Sequence, residues 1–172
     1  MELVSSGELK VVLEDGSEVS RDGQTLGEIV VRGNVVMKGY YNDPEATGKA
    51  IRDGWFHSGD AAVVHPNGYV EIRDRFKDVI ISGGENISSV ELEGCLLSHP
   101  AVQEVAVVGM PHEKWGETCL ALIIPKDGVE IDCNEIKNWS NENLAKHQRL
   151  DKVETRDEFP RNALGKVLKR VL

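Results

Sequence analysis

Apolar and polar positions alternate in short runs through the first part of the chain. Residues 8–13, 28–32 and 69–73 carry the two-residue period of half-buried strands, and Asp15-Gly16, Asp22-Gly23 and Pro66-Asn67-Gly68 separate them as turns. One short helix is predicted within this strand-rich part, from Asp43 as N-cap and Pro44 at the first helical position through Ala50. From about Asp78 the period changes, and helical segments alternate with the apolar runs 105–108 and 120–124. Ser88 and Glu91 have the spacing of a capping box for a helix that runs toward Ser98 and is stopped by Pro100. Ile136, Trp139 and Leu144 give a further helix an intermittently apolar face, and residues 165–172 read as a short basic strand or helix. The fold class that follows is α+β. A β-rich unit over residues 1–76 is joined near Lys77 to a small α+β domain over 77–172, the boundary near residues 76–78 resting on the change of pattern alone.

Composition narrows the function classes. The chain has 172 residues with 40% hydrophobic content, enough for one ordinary domain or two small ones, so disorder is not expected. Its net charge of −9 disfavours nucleic acid or an anionic membrane surface as partners. No transmembrane segment or apolar signal core is present, since no run reaches the ~20 apolar residues a span requires. Cys95, Cys119 and Cys133 are odd in number and widely spaced, which suggests neither a disulfide framework nor a CxxC metal site, and a reducing cytoplasm is expected. His112-Glu113 lacks the second histidine of HExxH, so no metal site is assigned.

Candidate chemistry concentrates in residues 54–93, where polar, glycine and charged residues stand at positions that a plain core would not need. Asp60 can accept two hydrogen bonds from a sugar diol, and Arg75 offers a fork of donors to hydroxyls or phosphate; the alternative is a turn aspartate and a surface arginine. Ser82-Gly83-Gly84 permits close backbone approach to a ligand, or equally a tight turn before a helix. A second candidate lies in Pro160-Arg161-Asn162-Ala163-Leu164-Gly165-Lys166, where a loop sets a lysine that could meet an anion or could simply be solvated. This is not a Walker A loop, because Pro160 and Val167 stand where that motif needs Gly and Ser or Thr. Trp115 could stack on a base or cover a sheet edge.

The order of these segments resembles the adenylate-forming superfamily of acyl-CoA ligases, peptide-synthetase adenylation domains and luciferases. The resemblance spans residues 26–172 and includes GEIVVRGNVVMKGYYNDPEAT, GWFHSGD, DRFKDVIISGGENISSVELE, HPAVQEVAVVGMPHEKWGE and PRNALGK, in family order. The finer likeness is to medium- and long-chain fatty-acyl or aryl CoA ligases. The resemblance implies a two-step reaction in which a carboxylate attacks ATP to give acyl-adenylate and pyrophosphate, and the thiol of CoA then displaces AMP. It also implies site residues: Asp60 at the ribose hydroxyls, Arg75 at ribose or phosphate, Ile72 beside the nucleotide, and Lys166 as the catalytic lysine at the carboxylate and α-phosphate. Lys77 matches the family's hinge, and rotation there would withdraw Lys166 and bring Gly83, Gly84 and Glu85 beside the pantetheine channel. Trp115, His147 and Arg149 match positions near the CoA nucleotide, although KHQRLDKVE departs from the lysine-proline pattern usual there.

The family's upstream Ser/Thr/Gly-rich phosphate loop and its aromatic-glycine-threonine-glutamate segment do not occur here. The chain is therefore expected to be the C-terminal part of an ATP-dependent ligase, partnered by a missing N-terminal portion and inactive when isolated. ATP, Mg2+ and CoA would serve the full-length enzyme, with none tightly bound in this chain. The alternatives are a stand-alone nucleotide- or CoA-binding regulatory module, or a docking domain that complements a separate N-terminal half. Lost strand partners are expected to favour a non-native dimer or disorder at residues 1 to about 25.

Overall fold

The computed structural model describes residues 7–172. Two compact units divide the chain, Met1–Lys77 and Asp78–Leu172.

In the first unit, the alternating runs become β1 (Gly7–Val12) and β2 (Gly27–Gly33), antiparallel and in register from Gly7↔Gly33 to Val12↔Glu28. Their inward valines and Ile29 meet Val19 and Ala62 in a small core. Gly27 is required there, since a Cβ would stand 2.5 Å from the Val19 side chain. Residues 7–12 thus form a paired strand where disorder was expected, because β2 supplies the strand partner; residues 1–6 lie outside the described residues. The short helix α1 (Pro44–Ala50) starts as its sequence predicts, with the Asp43 carboxylate accepting from the Ala46 N–H at 2.8 Å. Next come β3 (Ile51–Arg52), β4 (Trp55–Val64) and β5 (Val70–Arg75). Strand β4 carries this sheet: it pairs with β2, β3 and β5 and closes the order β1-β2-β4-β3, with β5 on β4.

The second unit opens on a hairpin, β6 (Ile80–Ser82) and β7 (Glu85–Ile87), and continues through α2 (Ser89–Leu97), β8 (Val102–His112), β9 (Gly116–Pro125), α3 (Cys133–Asn143) and β10 (Leu150–Thr155). Ser88 caps α2, its hydroxyl accepting from the Glu91 N–H at 3.3 Å. The sheet order is β10-β9-β6-β7, with β8 antiparallel on β9 and β10 parallel to β9 through the α3 crossover. Period-2 alternation divides β9 between two faces. Cys119, Ala121 and Ile123 meet Leu92 and Leu96 of α2 and Ile136 of α3. Leu120, Leu122 and Ile124 face the other way, toward Phe159, Val167 and Leu172 from the end of the chain. Residues 165–172 form neither of the predicted elements in full; Val167 makes an isolated bridge to Arg161, and only Lys169–Val171 winds into a 3-10 turn.

Cys119 is 1% exposed, and burial, with smaller contributions from the charges of Glu117 and Asp151, pushes its thiol from 9.0 up to about 11. Raised acidity constants favour the neutral thiol in the fold, so its contribution to stability is complete below about pH 9 and is lost as pH rises toward 11. Cys119 is expected to resist alkylation at pH 8 in the folded chain and to react only after denaturation, as mass spectrometry of peptide 119 would show. Rapid native labelling would contradict its placement in the core.

Candidate functional site

The tract WFHSGDAAVV folds as one strand with a local break. Opposite β2, the register steps from Val30↔His57 to Glu28↔Ala61, so Ser58, Gly59 and Asp60 bulge against Ile29. Gly59 takes φ +74° at the bulge, a left-handed conformation in which a Cβ is strained. Ser58 locks this shape: its hydroxyl donates to the Ile29 carbonyl at 2.9 Å and accepts from the Asp60 N–H at 3.0 Å. Glu28 supports it from β2, accepting from the Gly59 N–H at 3.0 Å and lying 2.7 Å from His57 Nδ1. Arg52 Nη2 is also 2.7 Å from His57 Nδ1, so that nitrogen serves Glu28 when protonated and Arg52 when bare.

The bulge presents Asp60 directly across from Arg75 on β5, and Arg75 Nε donates to Asp60 Oδ1 at 2.8 Å. Their side chains are 26% and 47% exposed, so the pair is solvent-accessible and one carboxylate oxygen is held while the other can accept. Ile72, three residues before Arg75 on the same strand and opposite Ala62, is 62% exposed. Two of the predicted residues, Asp60 and Arg75, are thus brought together, and an acceptor beside a donor fork suits a diol or a phosphate. Lys77 lies in a 3-10 turn (Phe76–Asp78) at the end of the first unit, exposed.

In the second unit, Gly83 and Gly84 form the two-residue turn between β6 and β7 at φ +60° and +88°, the geometry a hairpin demands. Trp115 stands against this turn. Its carbonyl accepts from the Gly83 N–H at 2.9 Å, and a Cβ on Gly83 would lie 3.0 Å from the indole ring. The ring is 47% exposed and carries the Lys114 ammonium 4.4 Å from its centroid. Glu117 completes the contact by accepting from the Ile81 N–H at 2.9 Å. Gly83, Gly84, Glu85 and Trp115 therefore form one exposed patch, whereas His147 and Arg149 sit apart in sequence on a 3-10 turn (Lys146–Gln148) and the residue after it, both exposed.

Lys166 projects from a turn that closes on itself. Asn162 accepts from the Lys166 N–H at 2.9 Å through its side chain and donates its own N–H to the Lys166 carbonyl at 2.9 Å. Gly165 turns at φ +81°. Arg161 braces the start of the loop, donating to the Gly165 carbonyl at 2.9 Å and pairing with Glu104 of β8. Lys166 is exposed, and among the described residues its ammonium makes no ion pair. Among the described residues, no group of three or more His, Cys, Asp or Glu side chains gathers to hold a metal ion, so magnesium is assigned to no residue here.

Sequence reasoning missed the supports: Ser58, Glu28 and His57 at the bulge, Glu117 at the hairpin, and Ser89, Glu93 and Lys169 behind the lysine loop. Most act across strands or elements distant in sequence, where spacing carries no signal.

Set beside known proteins, the chain has a clear match. Residues 91–166 match the family profile described as the AMP-binding enzyme C-terminal domain. The chain is 51% identical over 160 residues to a probable CoA ligase of Humulus lupulus, covering 91% of this chain and 28% of that protein. It is 48% identical over 167 residues to 4-hydroxybutyrate–CoA ligase 2 of Metallosphaera sedula, covering 97% and 30% respectively. Among solved structures it resembles o-succinylbenzoate CoA synthetase (MenE) of Bacillus subtilis in complex with its acyl-adenylate intermediate, with a TM-score of 0.84, 37% identity, and coverage of 96% of this chain and 33% of that one. ATP-bound MatB of Rhodopseudomonas palustris gives a TM-score of 0.83 at 37% identity, with the same coverage. The class these matches define is the C-terminal part of adenylate-forming enzymes, and this chain belongs to it. It spans less than a third of the length of the two curated relatives. Among the described residues, no helix is long and apolar enough to cross a membrane.

Proposed function

We propose that the chain supplies the ribose-holding and lysine-bearing parts of an ATP-dependent acyl-CoA ligase acting on a fatty or aryl acid. In the first step a carboxylate oxygen attacks the α-phosphorus of ATP, the bond to pyrophosphate breaks, and acyl-adenylate remains. In the second, the thiol of CoA attacks the acyl carbon, its proton passes to solvent, and the bond to AMP breaks. Asp60 accepts from the ribose hydroxyls, Arg75 donates to ribose or phosphate, and Ile72 packs beside the nucleotide. Lys166 offsets the charge that builds on the reacting oxygens of the first step. Residues 1–76 then end the larger part of the enzyme, and 77–172 are its mobile domain, turning about Lys77 between steps so that Gly83, Gly84 and Glu85 line the thiol channel. Trp115, His147 and Arg149 contact the CoA nucleotide.

The observation that carries this reading is the identity near one half, over nine-tenths of the chain, with enzymes named as CoA ligases. The name of the Metallosphaera sedula relative supports the aliphatic arm of the substrate class. The remaining parts of the site, including the pyrophosphate cradle and the acyl pocket, are assigned to the portion of the relatives that this chain does not match. Carboxylate-dependent ATP–pyrophosphate exchange tests the proposal. The longer enzyme containing these residues is expected to exchange with a fatty or aryl acid, and the 172-residue chain alone is expected to give only background. Robust exchange by the chain alone would overturn it.

A further inference from the structure

Lys169 makes contacts unlike those of any other lysine near the end of the chain. Its ammonium donates to the Ser89 hydroxyl at 2.6 Å and pairs with Glu93 Oε1 at 2.6 Å. Ser89 is fully buried, and the Lys169 and Glu93 side chains are only 17% and 18% exposed. The same Glu93 oxygen accepts from the Val107 N–H of β8 at 2.9 Å, on the side of that strand away from β9. One carboxylate thus joins the tail, helix α2 and the edge of the sheet. An ion pair this shielded from water is screened less than the exposed Arg161–Glu104 pair, at 39% and 38%, on the other side of the lysine loop.

These contacts have a consequence three residues upstream. Between Lys166 and Lys169, Val167 packs on Ala106, Leu122 and Phe159, and the Leu168 N–H donates to the Pro160 carbonyl at 2.8 Å. Lys166 therefore leaves a loop whose two ends are fixed, by Phe159 and Arg161 on one side and by Val167, Leu168 and Lys169 on the other. A flexible four-carbon stem reaches an anion reproducibly only if its backbone is held. We propose that Lys169, clamped by Ser89 and Glu93, is a positioning residue that presents Lys166 for the adenylation step. The inference rests on the role proposed above for Lys166.

The test compares Lys166→Ala, Lys169→Met, Lys169→Arg and Glu93→Gln in the longer enzyme that carries this chain. Two half-reactions are followed separately: ATP–pyrophosphate exchange, and thioester formation from supplied acyl-adenylate and CoA. Lys169→Met and Glu93→Gln are expected to lower kcat for exchange by up to about 100-fold with little change in the KM for ATP, while thioester formation stays at the parent rate. Lys169→Arg is expected to restore most of the exchange. In the 172-residue chain itself, hydrogen exchange of the Gly165, Lys166 and Leu168 amides should quicken in Lys169→Met and not in Lys169→Arg. If Lys166→Ala abolishes exchange but Lys169→Met leaves it at the parent rate, the positioning role is wrong and the function stands. Equal losses in both half-reactions would reduce Lys169 to a stability contact and also overturn the proposal. If Lys166→Ala leaves exchange intact, the underlying assignment of Lys166 fails, and this inference with it.

Discussion

Lys166→Ala in the longer enzyme is expected to lower acyl-adenylate formation by about 10²–10³-fold, the cost typical of removing one aimed charge or donor from a developing oxyanion. The expected selectivity follows from the proposed cycle and from where Lys166 sits. Lys166 is exposed at the tip of a turn fixed by Asn162 and Arg161, and its side chain contributes nothing to the two apolar clusters of its unit. Truncating it therefore leaves the fold alone, and circular dichroism and thermal melting should match the parent. Thioester formation from supplied adenylate should proceed, because in the proposed cycle Lys166 has been withdrawn by then. Steady-state loss in kcat without a matching rise in the KM for ATP would place its contribution in the transition state rather than in binding.

Gly83→Val is expected to do the reverse. At φ +60° a β-branched residue is strained by its backbone alone, and here its Cβ would also approach the Trp115 ring at 3.0 Å. Either the turn opens or the indole moves, and both disturb the patch that the proposed function assigns to the thiol channel. A displacement of about 1 Å in such a channel costs on the order of 10²-fold in the step that uses it. Thioester formation should fall by that much while pyrophosphate exchange persists, since no contact of the Lys166 turn involves Gly83. Gly84→Ala provides the contrast. It shares the positive φ, at +88°, but a Cβ there meets nothing within 4 Å, so a smaller loss is expected.

The two variants also show what could be read from the chain before its structure. The α+β class was legible because strand alternation and helix caps are local: Asp43 and Ser88 both cap the helices their spacing predicts. Residues 54–64 were harder. Their run of small, polar and glycine residues hid the strand that pairs with three others, because the bulge at Ser58–Asp60 breaks the period that would have revealed it. Strand β10 was missed for a related reason: it pairs in parallel with β9 across a whole helix, and no turn signal marks such a partner. Among site residues, Asp60 and Arg75 could be suspected individually, but their direct pairing depends on two register shifts, one on each side of β4. Lys169 gave no signal, since in sequence it is one more basic residue near the end, and only the approach of α2 and β8 makes it a clamp.

The central claim is that one set of residues here serves adenylation and another serves thioester formation. A single-turnover time course of the longer enzyme, resolving acyl-adenylate and acyl-CoA in the same reaction, tests it most directly. The expected result is that Lys166→Ala accumulates neither species, whereas Gly83→Val accumulates acyl-adenylate and stalls before acyl-CoA. Equal slowing of both steps in both variants would contradict the division.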